Sequence, residues 1–212
     1  MSITQPLPTN LDLSRLATVL AEWQTRWTEH WHLSQDALLP PTPFAQIIQQ
    51  QHRRNYDLWH EEDKARSPDA GDRTLAGVKR RIDKLNQERN DLMERLDEAI
   101  LTMLVQRSIS ASASAPWNTE TPGAVVDRLS ILSLKIFHMC EQEERKDATE
   151  EHREKCQAKR RILEQQRQDL VTSLQALLND LFTGRRQMKI YRQFKMYNDP
   201  ALNPEIYKAA KR

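Results

Sequence analysis

An all-α bundle is the fold this sequence predicts, on three observations. Of 212 residues only 4 are Gly and 38% are hydrophobic while 29% are charged, a mix that favours long helices over sandwiches, barrels or Gly-rich nucleotide-binding folds. Apolar residues recur at steps of three and four through long charged stretches. A helical hairpin is also repeated within the chain at an offset of 78 residues. Other classes fall away on composition. Lys plus Arg (32) nearly balance Asp plus Glu (30), so net charge points to no nucleic-acid or membrane partner. No apolar stretch approaches the ~20 residues of a membrane span, and the N-terminus has no secretion-signal pattern. Cys140 and Cys156 make no disulfide framework, so a soluble, reduced, cytoplasmic protein is expected.

The elements follow in order within one helical domain over residues 1–212. Residues 1–10 carry Pro6 and Pro8 and read as a loose arm. Asn10 is placed to cap a first helix running to about Leu33, with Leu13, Leu16, Leu20, Trp23, Trp27 and Trp31 as its apolar stripe. Tryptophans one turn apart fit a core ridge better than an aromatic box. After Pro40 and Pro41, Thr42 is an N-cap with Pro43 at the first helical position, and a second helix runs to about Arg66. Pro68 and Gly71 break it, and a third helix spans Asp72 to Gln106, completing a first hairpin over 43–106. Residues 107–120 contain a Ser/Ala alternation ending at Pro116 and read as a flexible link. Thr121-Pro122 repeats the cap and starts a fourth helix to about Arg145. Asp147 or Thr149 caps a fifth, to about Phe182, completing a second hairpin over 121–183. Gly184 closes it, and residues 185–197 read as a C-terminal amphipathic helix.

The shift of 78 sets Leu85-Asn86-Gln87-Glu88-Arg89-Asn90-Asp91-Leu92 on Leu163-Glu164-Gln165-Gln166-Arg167-Gln168-Asp169-Leu170, with five of eight identical. It also sets Leu58-Trp59-His60 on Ile136-Phe137-His138, and one extra residue aligns the two Thr-Pro caps. Two antiparallel hairpins, each with one apolar face, pack as a four-helix core, with the first helix and the C-terminal segment across it. His60 and His138 then occupy equivalent positions. A second turn centred near residue 147 would set Asp127 level with Arg167 as a buried ion pair.

The densest polar stretch is 52–66. On a helix, His52, Asn55, Trp59, Glu62 and Arg66 share a face, which is either a buried polar network or the lining of a polar pocket. His60-x-x-Asp63 and His138-x-x-Glu141 repeat at the same offset, but the only Glu-x-x-His is Glu29 to His32, and hairpin geometry opposes a carboxylate-bridged dimetal centre. No metal or cofactor is assigned. All-α nucleoside triphosphate pyrophosphohydrolases bind Mg²⁺ through Glu-x-x-Glu and Glu-x-x-Asp. Glu88-x-x-Asp91 and Glu94-x-x-Asp97 supply the second motif, whereas Glu61 and Glu62 fail the first. Gly-rich phosphate loops and nucleophile elbows are absent. In the C-terminal segment Arg185, Lys189, Arg192 and Lys195 line one side, and Ile190, Phe194 and Tyr197 another. That pattern suits a docking helix with solvated cations, or an anion site of arginine forks beside aromatic rings.

Four stretches together resemble an uncharacterised bacterial helical family, a domain of unknown function. They are Asn55-x-x-x-Trp59-His60-Glu61-Glu62-Asp63-Lys64-Ala65-Arg66; Ile82-Asp83-x-Leu85-Asn86-x-x-Arg89-Asn90-Asp91; Glu120-Thr121-Pro122-Gly123-x-x-x-Asp127-Arg128-Leu129-Ser130-Ile131-Leu132-x-Leu134-Lys135-Ile136-x-His138; and Tyr191-Arg192-Gln193-Phe194-Lys195-Met196-Tyr197-Asn198-Asp199-Pro200. The resemblance covers roughly residues 40–207. Such proteins tend to be encoded beside glycosyltransferases of surface-polysaccharide synthesis, which implies a role in envelope-glycan assembly and a glycosyltransferase partner, without an established activity. The expected function is an accessory or ligand-binding protein for a phosphorylated sugar or nucleotide-sugar, bound without added metal. The expected site is Asn55, Trp59, Glu62, Asp63, Arg66, Asp127, Arg128, His138, Arg192 and Lys195. A Mg²⁺-dependent all-α phosphohydrolase is the alternative, and an RNA-binding helical module a weaker one.

Overall fold

The computed structural model describes residues 12–34, 38–194 and 199–209, so the expected arm, the Asn10 cap and Lys195 lie outside the described residues. Asp12 caps a short 3-10 turn, Leu13–Arg15, which leads into α1 (Leu16–Leu33). The four long helices are α2 (Pro43–Ala65), α3 (Asp72–Gln106), α4 (Pro122–Glu144) and α5 (Glu150–Phe182), followed by a short α6 (Pro204–Ala209). There is no strand among the described residues. Three threonines start helices: Thr42, Thr121 and Thr149 each accept a backbone N–H three residues on, at 3.0, 3.3 and 3.2 Å.

The packing is that of a helical bundle. α2 pairs with α3 and α4 with α5, while α1 lies against α2, α4 and α5. Arg54–Glu88 (2.7 Å) and Arg81–Glu61 (3.3 Å) mark the first hairpin's register. α2 and α4 lie side by side, and residues 78 apart meet between them: His52 Nδ1 is 2.6 Å from Ser130 Oγ, and the His60 and His138 rings are 5.9 Å apart. Related helices facing each other across their contact is what a duplicated hairpin produces. The tryptophan stripe is core: Trp23 and Trp27 are buried among Ile48, Leu96, Ile100, Leu129, Leu174 and Leu178. Burying such side chains contributes roughly 1.5–3 kcal/mol each.

Two expectations are corrected. Residues 185–194 are not helical. Gly184 has φ +71°, and beyond it the chain runs over the link: Gln187 N–H donates to Pro116 O (3.0 Å), and its side chain donates to Ala113 O and Ala115 O. Bonds from the link replace those a helix would make within itself, and they hold the link in turn. The second correction concerns Arg167. Glu143 pairs with Arg160 at 2.7 Å, so Asp127 falls level with a stretch of α5 beyond Arg167. Arg167 instead donates to Ala21 O (2.6 Å) and Thr25 Oγ1 (2.7 Å) of α1. Asp127 does have a cation, Arg89 of α3.

Candidate functional site

The polar face of α2 continues into a buried network. Asp127 of α4 is 3% exposed and accepts from Gln51 Nε2 (2.5 Å), Asn55 Nδ2 (2.9 Å) and Arg89 Nε (2.7 Å), with Arg89 Nη2 on its other oxygen. Asn55 also donates to Ser130 Oγ (2.9 Å). His52, fully buried, lies between Ser130 and Thr28, whose hydroxyl donates to Gln24 O. Thr28 Oγ1 must therefore accept from His52 Nε2–H, which leaves Nδ1 to accept from Ser130. Burial lowers the His52 pKa from 6.5 to about 3, so the ring is neutral. This network ties α1, α2, α3 and α4 together and needs each partner to stay satisfied.

Beyond Asn55 the same face becomes the wall of a cleft. Asn55, Trp59, Glu62, Asp63 and Arg66 line a cavity of about 440 Å³ with Asn86 and Arg89 of α3 and Ile131 and Leu134 of α4. Trp59 and Asp63 also line a second cavity of about 610 Å³, with Lys135, His138 and Gln142 of α4 and Lys159 and Ile162 of α5. Trp59 thus separates the two, its ring stacked on His138 at 4.6 Å with an interplanar angle of 9°. Lys135 and Lys159 are exposed and pair with no carboxylate among the described residues. The two readings of the α2 face therefore both apply, one at each end.

The remaining expected residues lie elsewhere or play other parts. Arg128 is exposed and paired with Glu120 at 2.7 Å. Arg192 bridges Glu94 (2.9 Å) and Glu98 (2.8 Å) of α3 and lines neither cavity. Arg185 pairs with Asp180, and Lys189 sits over the rings of Trp117 and Tyr191. Among the described residues, the cations Arg185, Lys189 and Arg192 of the expected C-terminal anion site are thus engaged by their own neighbours. The carboxylates of the hydrolase reading are likewise engaged: Glu88 with Arg54, Glu94 with Arg192, Asp91 with Gln87, and Asp97 with Gly123 N–H. Lys135 lies within an apolar stretch of α4 and Lys159 opens a run of three basic residues in α5, so neither stands out in sequence, and only the α4–α5 register brings them to one cleft.

Beside the cleft three histidines gather from three helices, His32 of α1, His60 of α2 and His138 of α4, with one ring nitrogen of each within 4.8 Å of the others. It is the only group of three His, Cys, Asp or Glu among the described residues placed to share a metal ion. Burial and the neighbouring imidazoles lower the proton affinity of His32 and His60. The repeat pairs His60 with His138, but His32 lay outside it; its only sequence signal was the single Glu29-x-x-His32.

The comparisons with known proteins bear on family alone. The pattern of a family described as protein of unknown function (DUF4254) matches residues 45–190, both hairpins and the link between them. The chain belongs to this family. No curated protein and no solved structure matches it. Within the family match lie both cavities, His60 and His138, whereas His32 lies N-terminal to it. No described helix is long and apolar enough to cross a membrane.

Proposed function

We propose that this DUF4254 member binds a phosphorylated sugar or nucleotide-sugar in the cytoplasm, as an accessory protein of bacterial surface-glycan synthesis acting with a glycosyltransferase partner. The observation that carries the reading is the convergence of Lys135 and Lys159, neither paired with a carboxylate among the described residues, on a cavity walled by Trp59. A phosphate needs mobile cations, and two unpaired ammonium groups supply them. A sugar ring needs an apolar face and a few hydrogen-bonding groups, which Trp59, Asp63 and Gln142 supply. The cavity's 610 Å³ suits a ligand of that size. The glycan setting and the glycosyltransferase partner rest on the resemblance of the four motif stretches, and the ligand class on the cleft. Arg192 has no part in this reading, because it is already bridged by two carboxylates.

Calorimetry with chelator-treated protein and a panel of nucleoside diphosphate sugars and sugar 1-phosphates tests it. At least one is expected to bind, with Lys159→Ala and Trp59→Ala each weakening it about tenfold or more, roughly the worth of one charge-assisted contact or stacked ring. Arg192→Ala is expected to leave the affinity unchanged. No binding by any member of the panel at millimolar concentration would overturn the reading.

A further inference from the structure

His32 and His60 belong neither to the buried network nor to the lining of the lysine cleft, and they meet His138, which does wall that cleft, in a three-histidine cluster. Its geometry is specific. The Nε2 atoms of His32, His60 and His138 are all buried, and none has a hydrogen-bond partner. Two of the rings are held by their other nitrogen: His32 Nδ1 is 2.7 Å from Thr28 O, and His138 Nδ1 is 2.7 Å from Glu141 Oε2. A carbonyl or an ionised carboxylate only accepts, so these Nδ1 atoms carry a proton, and in the neutral rings the Nε2 atoms present lone pairs. Aromatic rings pack on all three: Phe137 on His32 at 4.1 Å, Tyr56 on His60 at 4.5 Å and Trp59 on His138 at 4.6 Å. Buried acceptors gathered without a donor destabilise a fold. A shared cation removes that cost.

We propose that His32, His60 and His138 bind a divalent transition metal of the zinc type through their Nε2 atoms, with Glu141 as the outer carboxylate that orients His138. The donor set decides the class of ion. Three imidazoles with no carboxylate among them suit zinc, nickel, copper or iron and do not suit magnesium or calcium, which require oxygen. An ion about 2.1 Å from each nitrogen sets the nitrogens about 3.4 Å apart, so ring movements below about 1 Å close the site. The carboxylate–histidine arrangement at Glu141 is the outer-sphere contact that fixes the tautomer of a ligating ring. Three protein ligands leave a further coordination position for water or a ligand oxygen. His138 also walls the 610 Å³ cavity, so the ion would sit beside the ligand cleft, and the sugar-phosphate reading is not needed for the site to exist.

The test uses the full-length protein stripped by chelator and titrated with zinc chloride. One equivalent per chain is expected, with X-ray absorption of the zinc form giving three imidazole nitrogens at about 2.0–2.1 Å. His32→Ala and His138→Ala are each expected to weaken binding at least about 100-fold, and Glu141→Gln about tenfold. His152→Ala, at a histidine that contacts Cys156 instead, is expected to leave affinity unchanged. Failure to take up a stoichiometric ion, zinc affinity unaltered in His32→Ala, or a sulfur-containing shell in the wild-type spectrum would overturn the proposal. The wild-type spectrum needs no variant, so a variant that fails to fold does not spare the proposal. Sugar titrations are run without metal, so the two readings fail separately.

Discussion

Asp127 is the residue on which the polar interior depends. It is a buried carboxylate held by one guanidinium and two amides from α2 and α3. Removing Arg89 leaves that charge with amide donors only, and breaking such a pair costs about 3 kcal/mol or more. Arg89→Ala is therefore expected to lower unfolding free energy in urea by about that amount. Arg167→Ala loses only bonds to Ala21 O and Thr25 and is expected to cost about 1 kcal/mol. Equal losses would reassign Asp127's partner. The need of Asp127 for a cation was legible in the sequence, because a carboxylate on an apolar helix face cannot stay charged alone. Which arginine answers it was not. Arg89 and Arg167 are repeat equivalents, and only the axial register of each hairpin decides between them.

Helix starts and stops were local matters, and the elements show it. The Thr-Pro caps at Thr42 and Thr121 and the break at Gly71 depend on residues within one turn of each other, so pattern alone located them. The C-terminal segment has the right apolar spacing for a helix, yet its backbone bonds go to Pro116 and to Glu94, partners remote in sequence. Two glycines illustrate the same division. A Cβ on Gly123 would lie 2.5 Å from Met93 O and 2.9 Å from Asp97 Oδ1, because the start of α4 presses on α3. A Cβ on Gly77, in the second turn of α3, meets nothing within 4 Å. Gly123→Ala is expected to destabilise by about 2 kcal/mol or more, and Gly77→Ala to stabilise by about 0.5–1 kcal/mol. Thermal melts of the two variants should move in opposite directions.

At the scale of the whole molecule, buried titratable groups set the response to pH. Burial raises the Asp97 pKa from 3.8 to about 6, against the opposing hydrogen bonds from Thr121 and Gly123. The folded chain thus holds an extra proton between about pH 4 and 6, and stability falls as pH rises through that window. Asp97→Asn keeps an acceptor for Gly123 and removes the charge. It is expected to be more stable than the wild type at pH 7.5, by on the order of 3 kcal/mol, with the advantage gone by pH 4. His52 acts in the opposite sense. Its pKa of about 3 lies below the unfolded value of 6.5, so its contribution is complete above pH 6.5 and is lost as pH falls toward 3. Denaturant melts of wild type and Asp97→Asn across pH 4–7.5 check both signs, since the variant isolates the acid-side loss.

The sequence by itself determined that this chain is helical, where its long helices begin and end, that its tryptophan stripe is core and that one hairpin recurs. Those properties follow from helix periodicity and from caps, which act over a few residues. It also marked the α2 face of His52, Asn55, Trp59, Glu62 and Arg66, of which His52 joins the buried network and the other four line one cavity. Tertiary structure alone decided that Arg89 serves Asp127, that Lys135 meets Lys159, and that His32 joins the repeated pair His60 and His138. The physical reason is that periodicity states which residues share a face, but not how far one helix slides along its neighbour or which way it turns. Those two quantities are set by the interdigitation of side chains from all the packed helices at once, and a single strand of sequence does not contain them locally.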